Sequence, residues 1–533
     1  MLLWSKHPFS TRWNHRVGGL FLSKVTVPTH SPILKLRLLP FALVLIVGSL
    51  GTLFVIKSPV ALAIFLIGCF ALLVFLKNPR WLVYSLAAFI PFQDEISFEQ
   101  LSGARLSAQT LGATLLIILF LLRGLLPGFH TRKIFRLPYL NLLLVFLLIS
   151  SLAIAIGPQV TGPVQAIWAV YRTVWVAPLI YFGVWVFLRE PKTLRRVLAW
   201  LAAGSTFGAF IAIVQTITGG KLLTGIGGNY RYLGFLNPLP PEVVASLSGK
   251  FLADLYLGHT KIFRGFGSFY TSNGLGVLLC VSIFITWGLY ASRTGKKRWL
   301  WIGMLGVQVL GIVATFSRSA WAAAIAGGGI LFLPVFVKWM KRPKRIPKAL
   351  IASLVLVLIA LPFIFTNSNI RNRLLTTFTP TQVNEFNWRV VIWAYASKQI
   401  LQYPILGMGT SIIDNTIVQI HDPSTVDAFS THNLLFDIAY QRGLIALAFY
   451  ILLWIYYFRS VWKLYKDETE QNIPDQKLFM GLSAGGAAYV VSGIGIASMM
   501  TENLATLFWF LFGIVICWKH LRLEHKSISL EDQ

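Results

Sequence analysis

Four basic side chains in this largely apolar chain, one histidine and three arginines, could act together on a charged substrate. His432 closes a long polar segment and directly precedes an apolar helix. A neutral imidazole accepts a proton, as a general base must. Arg264, Arg318 and Arg389 carry planar guanidinium groups, whose fork of donors suits phosphate oxygens. The set predicts proton abstraction by His432 and, if the arginines converge, binding of a diphosphate.

The segment around His432 predicts how the imidazole is presented. If the helix begins near Thr431, the imidazole lies in its first turn, where the positive end of the helix dipole keeps the ring neutral. Thr431 or Ser430 could cap that helix, and Asp427, a few residues upstream, could orient the ring. The alternative is an ordinary histidine at the membrane interface.

The surroundings of two arginines distinguish them from other charges. Arg318 lies in a turn of two or three residues between apolar runs, where a charge is costly unless it is paired or faces water. Arg264 follows a polar loop and precedes a helix expected to begin near Asn273. Each arginine alone could be an interfacial side chain extending to lipid headgroups. The diphosphate interpretation depends on all three lying on one face of the membrane.

The composition is that of a protein that crosses the membrane many times. Of 533 residues, 56% are hydrophobic and 12% are charged, which is more apolar surface than a soluble domain could bury. A span requires about 20 mostly apolar residues. We therefore predict an all-α polytopic membrane protein with about 12–14 transmembrane helices. The candidate spans are 38–56, 59–76, 79–91, 107–122, 138–156, 164–187, 197–218, 272–290, 299–315, 319–337, 349–366, 443–458, 480–498 and 503–518.

The net charge of +28 would suggest a nucleic-acid partner in a soluble protein. Here most Lys and Arg residues fall in segments that the alternating spans place on one side, as the positive-inside rule requires of cytoplasmic loops. We therefore predict cytoplasmic N- and C-termini, contacts with membrane lipids, and no nucleic-acid partner.

The sequence lacks the motifs of a cofactor or metal enzyme. Its three cysteines, Cys69, Cys280 and Cys517, lie within apolar runs, which argues against a disulfide framework or a metal cluster. No phosphate-binding loop, H-E-x-x-H motif or carboxylate-rich outer segment occurs. We predict that the protein uses no cofactor and no metal.

Two long segments, 219–271 and 367–442, lie outside if the N-terminus is inside. The second is a large extracytoplasmic loop between the helices near 349–366 and 443–458, and we expect the chemistry on this face, between the two loops. The predicted division is a basic cytoplasmic tail (1–37), N-terminal transmembrane helices (38–218), an extracytoplasmic loop (219–271), transmembrane helices (272–366), a large extracytoplasmic catalytic loop (367–442), C-terminal transmembrane helices (443–518) and a cytoplasmic tail (519–533).

Several short motifs occur in a defined order around the four basic residues. They are Arg264-Gly265-Phe266-Gly267 with Asn273, Thr315-Phe316-Ser317-Arg318-Ser319-Ala320-Trp321, Arg389 with Trp393, Pro404-Ile405-Leu406-Gly407-Met408-Gly409, His432-Asn433 and Gly443. Together they resemble the O-antigen ligase family, which also includes some lipid-linked glycan polymerases. The resemblance is clearest over about 260–460, and the first 200 residues are similar only as hydrophobic helices.

The resemblance implies an inverting, metal-independent glycosyltransferase of the GT-C type. Such enzymes transfer a glycan from an undecaprenyl-diphosphate carrier to a lipid or glycan acceptor, on the outer face of the bacterial inner membrane, as in lipopolysaccharide assembly. On the family pattern, Arg264, Arg318 and Arg389 bind the carrier diphosphate and His432 activates the acceptor hydroxyl. Asn273, Asp427 and Asn433 are candidates for supporting roles.

Two alternatives remain open from the sequence. The first is a polymerase of the same superfamily, whose acceptor is another lipid-linked repeat unit. The second is a transporter of a small anion such as bicarbonate. Transport requires polar residues along a path through the membrane, and Arg172 is the one Lys or Arg that we place well inside a span, with no acidic partner apparent.

Overall fold

The computed structural model describes residues 73–92, 95–98, 104–124, 138–157, 160, 162–219, 254–257, 260–267, 269, 271–293, 295, 298–341, 384–409, 431–471, 475–495 and 502–531. All of them lie in one compact unit, which comprises 70–124 and 130–533. The predicted spans 38–56 and 349–366, most of the loop 219–271, and Asp427 and Ser430 lie outside the described residues.

The described chain is mainly helical. The helices are α1 (Arg80–Phe89), α2 (Ala108–Gly124), α3 (Leu140–Ala155), α4 (Pro163–Val170), α5 (Val176–Phe187), α6 (Pro191–Ile217), α7 (Ser272–Ala291), α8 (Arg298–Ala314), α9 (Arg318–Lys341), α10 (Asn384–Gln402), α11 (Leu434–Gln471), α12 (Gln476–Gly493) and α13 (Glu502–Glu531). A π-helical turn, Tyr171–Trp175, joins α4 to α5.

Four short strands form two antiparallel hairpins that the sequence analysis did not predict. Strands β1 (Glu95–Phe98) and β2 (Ala104–Ser107) pair with Glu95 opposite Ser107. Strands β3 (Asp254–Leu257) and β4 (Thr260–Phe263) pair with Asp254 opposite Phe263. Each strand has four residues, too few for the period-2 pattern of a strand to stand out in a sequence. The second hairpin leads directly into Arg264.

The helices confirm an all-α polytopic membrane protein. Among the helices of the described residues, five are long and apolar enough to cross a membrane. They are Pro163–Phe187, Pro191–Ile217, Ser272–Ala291, Leu434–Asp467 and Leu504–Glu524. Three shorter apolar helices accompany them: Gln109–Leu122, Leu140–Ala155 and Arg298–Ala314. Part of the predicted membrane region lies outside the described residues, so the count of 12–14 spans stays a prediction.

Small residues allow α7 to pack closely against its neighbours. A Cβ added to Gly276 would lie 2.7 Å from the Cβ of Ala320 in α9. One added to Gly288, near the other end of α7, would lie 2.9 Å from the Cα of Leu478 in α12. Close backbone approach of this kind is the usual basis of helix association in lipid, where the hydrophobic effect does not favour it.

A buried amide also links three helices. The Nε2 of Gln308 in α8 donates to the carbonyl oxygen of Ala202 (3.1 Å) and to Oγ1 of Thr206 (2.9 Å), both in α6. Its Oε1 accepts from Oγ1 of Thr286 in α7 at 3.1 Å. The side-chain amide of Gln308 therefore makes three hydrogen bonds, so its polar atoms are not left unpaired inside an apolar bundle.

The two ends of the bundle carry different groups. At one end Asp475, just before α12, is buried and pairs with Arg195 of α6 and, at 3.7 Å, with Arg522 of α13. We call this the Asp475 end. The other end, which we call the His432 end, is where α6, α8 and α12 finish and where α7, α9 and α11 begin. It is this end that carries the predicted site residues.

Candidate functional site

His432 lies just before α11 in a left-handed backbone conformation, with φ at 49°. The helix begins at Leu434, and Oδ1 of Asn433 accepts from the backbone nitrogens of Leu435 (3.0 Å) and Phe436 (3.3 Å). Asn433 is therefore the cap. The prediction that the imidazole lies in the first helical turn, with Thr431 or Ser430 as the cap, is wrong because the helix begins after His432 and Asn433 caps it.

Thr431 is engaged by a buried carboxylate instead. Oδ1 of Asp437, which is 3% exposed, accepts from the backbone nitrogen of Thr431 at 3.1 Å and from its hydroxyl. Asp437 was not predicted, and Asp427, the acidic residue predicted to orient the imidazole, lies outside the described residues. One sequence signal could have identified Asp437. It is an acidic residue four positions after Asn433, and therefore lies one helical turn after the cap.

The helix α10 brings Arg389 to the same region. Trp393 lies one turn after Arg389, so the two share a face of α10. Its indole Nε1 donates to the carbonyl oxygen of Thr431 at 2.8 Å, and its ring stacks on Phe436 with centroids 5.9 Å apart. Arg389 is partly exposed on this face. The sequence linked Arg389 to Trp393, but it did not indicate that Trp393 contacts the residue before His432.

Arg264 is almost fully buried, at 5% exposed. Its Nε donates to the carbonyl oxygen of Thr315 at 3.0 Å, and its Nη2 donates to Oδ1 of Asn273 at 2.7 Å. The structure therefore brings Arg264 together with Asn273, which was predicted to have a supporting role. Through Thr315 it also joins Arg264 to the turn that carries Arg318.

Gln215 holds the backbone after Arg264 in place. Its Oε1 accepts from the backbone nitrogens of Phe266 (3.0 Å) and Gly267 (2.9 Å), and its Nε2 donates to the carbonyl oxygen of Gly267 (2.9 Å). Gln215 is buried near the end of α6. The amide thus fixes the peptide segment that follows the guanidinium. Gln215 was not among the residues predicted from the sequence.

A turn of three residues separates α8 from α9, as predicted, but Arg318 is the first residue of α9 and not part of the turn. Within that turn Phe316 has φ at 48°, and Oγ1 of Thr315 donates to the carbonyl oxygen of Ile312 at 2.7 Å. Oγ of Ser317 accepts from the backbone nitrogen of Ala320 at 3.4 Å. Arg318 itself is partly exposed, at a helix N-terminus whose dipole favours anions.

The end of α12 lies between the starts of α9 and α11. A Cβ added to Gly495 would be 3.0 Å from the Cβ of Ser319, next to Arg318. One added to Gly493 would be 2.8 Å from Cδ2 of Leu434, two residues after His432. Arg318 and His432 therefore flank the end of one helix. All four predicted basic residues lie at the His432 end, and their roles stay predictions.

The turn from Pro404 to Gly409 packs on a break in α11. The backbone nitrogen of Met408 donates to the carbonyl oxygen of Tyr440 at 2.7 Å, and that of Leu444 donates to the carbonyl oxygen of Pro404 at 2.7 Å. The break is at Gly443, where φ is 81° and a Cβ would overlap the carbonyl oxygen of Ile405. The glycine is required both for its left-handed backbone and for this close approach.

A buried arginine next to that break was also missed. Arg442 is 3% exposed, and its Nη2 donates to the carbonyl oxygen of Thr173 at 3.0 Å, in the π-helical turn. Arg442 directly precedes the break at Gly443, where the predicted span 443–458 begins, so it adds a buried guanidinium at the start of that span. Its partner is 269 positions away in the sequence, so no local pattern could reveal it.

The described residues contain no group of three or more His, Cys, Asp or Glu side chains arranged to hold a metal ion. This leaves the prediction of metal independence untested, because part of the chain lies outside those residues.

Residues 303–451 match the family described as O-antigen ligase. This region is therefore similar to O-antigen ligases. The matched region includes Arg318, Arg389 and His432, whereas Arg264 and Asn273 precede it. No curated protein matches the chain. The apolar helices and the similarity to O-antigen ligases support a multi-pass membrane protein.

Proposed function

We propose that the protein is an inverting, metal-independent glycosyltransferase. It transfers a glycan from an undecaprenyl-diphosphate carrier to an acceptor hydroxyl on the extracytoplasmic face of the bacterial inner membrane. The observation that carries this proposal is that Arg318 and His432, both in the region that matches O-antigen ligases, lie on either side of the end of α12. A base and a phosphate-binding group are the two components that such a transfer requires.

In the proposed reaction His432 takes the proton of the acceptor hydroxyl, whose oxygen attacks the anomeric carbon of the donor. The bond from that carbon to the phosphate oxygen breaks, and the carrier diphosphate leaves with the electron pair. Attack opposite the leaving group inverts the configuration. Positioned general bases contribute about 10²–10⁴-fold to such reactions.

The arginines stabilise the charge that develops on the leaving diphosphate. Arg318 is suited to this because it adds its guanidinium to the first turn of α9, where backbone N–H groups already favour an anion. Arg389 would approach the diphosphate from α10. Arg264 is held by Asn273 and by the carbonyl oxygen of Thr315, so it both orients the Arg318 turn and presents a fixed guanidinium.

The distribution of basic residues supports an extracytoplasmic site. Within the described part of the chain, basic residues are more numerous toward the Asp475 end than at the His432 end. Those toward the Asp475 end include Arg189, Lys192, Arg195, Arg196, Arg298, Lys477, Lys519 and Arg522. Because cytoplasmic segments collect Lys and Arg, the Asp475 end is the cytoplasmic one in this proposal. The His432 end then faces outward.

The glycan profile of a strain that lacks this chain tests the proposal in cells. A strain carrying wild-type protein makes the transferred product, and one carrying His432→Ala makes none although the protein reaches the membrane. Normal product from the His432→Ala strain would contradict the proposal.

The same strain separates ligase from polymerase, which the family match does not distinguish. Loss of a ligase leaves long chains on the lipid carrier. Loss of a polymerase leaves single repeat units instead. Size analysis of the carrier-bound glycans therefore decides which acceptor the enzyme uses.

The buried Arg442 is the one observation that favours the anion-transport alternative. A buried guanidinium within a span often marks an ion path. Here, however, Arg442 donates to the carbonyl oxygen of Thr173 and lies over the ring of Phe146 at 6.0 Å, so it joins α11 to its neighbours. Bicarbonate uptake by purified protein in liposomes, without any glycan donor, would favour transport over transfer.

A further inference from the structure

Resting on the proposed function, we propose that Asp437 is the positioning residue for His432. It holds Thr431 through two hydrogen bonds and thereby fixes the backbone that presents the imidazole. No sequence motif pointed to this residue, and Asp437 itself does not need to contact the substrate. The assignment depends on three features of the segment around His432.

The first feature is the backbone conformation of His432. Its φ of 49° lies in the left-handed region, which is disfavoured for residues other than glycine. Such a conformation persists when the surrounding contacts over-determine it, and it clusters at functional sites. The contacts made by the chain neighbours of His432 are therefore the ones that can hold this conformation.

The second feature is that both chain neighbours of His432 are fixed. On one side, the backbone N–H and the hydroxyl of Thr431 donate hydrogen bonds to Asp437. The carbonyl oxygen of Thr431 accepts a hydrogen bond from the indole N–H of Trp393. On the other side Asn433 is locked as the helix cap. Thr431 and Asn433 are buried, whereas His432 is partly exposed. The imidazole is thus the accessible group of an otherwise fixed segment.

The third feature is the cost of placing an acid there. Asp437 is buried, and within the described part of the chain its Oδ2 has no hydrogen-bond partner. Burial of a carboxylate with one oxygen unsatisfied is unfavourable. A buried apolar residue would pack in this helix without that cost, so packing alone does not explain Asp437. Its hydrogen bonds to Thr431 do.

The test uses full-length protein in liposomes, with donor and acceptor lipids extracted from a strain that lacks the chain. Initial rates are measured against extract concentration. We expect Asp437→Ala to lower the maximal rate about 100-fold, a loss that a displacement of about 1 Å can cause, with little change in the half-saturating concentration. Asp437→Asn keeps an oxygen acceptor for Thr431, so its maximal rate stays within about threefold of wild type.

Tyr457→Phe is the matched control, because Tyr457 is buried in the same helix and donates to the carbonyl oxygen of Leu482 at 2.8 Å, away from His432. It loses one buried hydrogen bond and should keep the wild-type rate. If Asp437→Ala does not reach the membrane, Thr431→Val replaces it. That variant should lose about 10-fold or more in maximal rate, and Thr431→Ser should restore it.

Three results would overturn the assignment. They are a normal rate for Asp437→Ala, an equally low rate for Asp437→Asn, and a loss that appears only in the half-saturating concentration. His432→Ala in the same assay separates this inference from the proposed function. If His432→Ala is active, the proposed function fails, whereas if His432→Ala is inactive and Asp437→Ala is normal, only the positioning role fails.

Discussion

The indole Nε1 of Trp393 donates a hydrogen bond of 2.8 Å to the carbonyl oxygen of Thr431, the residue before His432. The two residues are 38 positions apart. The bond joins α10, which carries Arg389, to the segment that carries the proposed base. It therefore couples the position of one diphosphate-binding candidate to that of the imidazole.

Trp393→Phe tests this coupling. Phenylalanine keeps an aromatic ring against Phe436 but cannot donate to Thr431, so we expect a loss of transfer of about 10-fold. Trp393→Ala removes the stack as well and should lose more. Transfer by membranes with equal amounts of protein is the measurement. Trp462→Phe, a change at an exposed position of α11, is the control and should be neutral.

Substitution of Arg318 should weaken leaving-group stabilisation. We expect Arg318→Ala to reduce the transfer rate about 10²–10³-fold, the effect of removing one preorganised donor group from a developing charge. Arg318→Lys should recover only part of this, because an ammonium is a point charge without the planar fork. Arg459→Ala alters an exposed arginine of α11 and should leave the rate unchanged. Equal rates for Arg318→Ala and wild type would remove Arg318 from the proposed clamp.

The break at Gly443 gives a prediction about stability. Gly443→Ala places a Cβ against the carbonyl oxygen of Ile405 at a φ of 81°, so it should destabilise the fold by about 1–3 kcal/mol. Thermal unfolding of purified protein in detergent measures this. Gly303→Ala is the matched control in α8, where an added Cβ meets nothing within 4 Å. It should be neutral or stabilising by up to about 1 kcal/mol. An unchanged melting temperature for Gly443→Ala would show that the turn at Pro404 is not packed there.

Cysteine labelling tests which end of the bundle faces outward. Tyr403, just after α10, and Lys466, late in α11, are both exposed. With a membrane-impermeant maleimide, Tyr403→Cys should react in intact spheroplasts and Lys466→Cys only after lysis. The reverse pattern would place the site in the cytoplasm.

Local patterns in the sequence were sufficient for most of the apolar helices and for one site turn, but not for α10, which lies inside the predicted loop 367–442. Two apolar runs with Arg318 between them predict a tight turn, and the structure has three residues there. The start of α11 was less predictable, because Thr431 and Asn433 are both good capping residues. The contact that decides between them is the hydrogen bonding of Thr431 to Asp437.

Other features depend on partners distant in the sequence. Arg264 is fixed by Thr315, which is 51 positions later, and Arg442 by Thr173, which is 269 positions earlier. A sequence pattern reports neighbours on one helix or strand, not which helices pack together. This is why the four basic residues could be named individually, whereas their arrangement around the end of α12 required the structure.

The most direct test of the proposed function is transfer by the purified protein in liposomes that contain the lipid-linked glycan extracted from the deletion strain. We predict that wild-type protein transfers the glycan to the extracted acceptor in the presence of EDTA. His432→Ala, present in equal amount and equally stable, should fall about 10²-fold or more. Transfer by His432→Ala at the wild-type rate would contradict the role of His432 as the base.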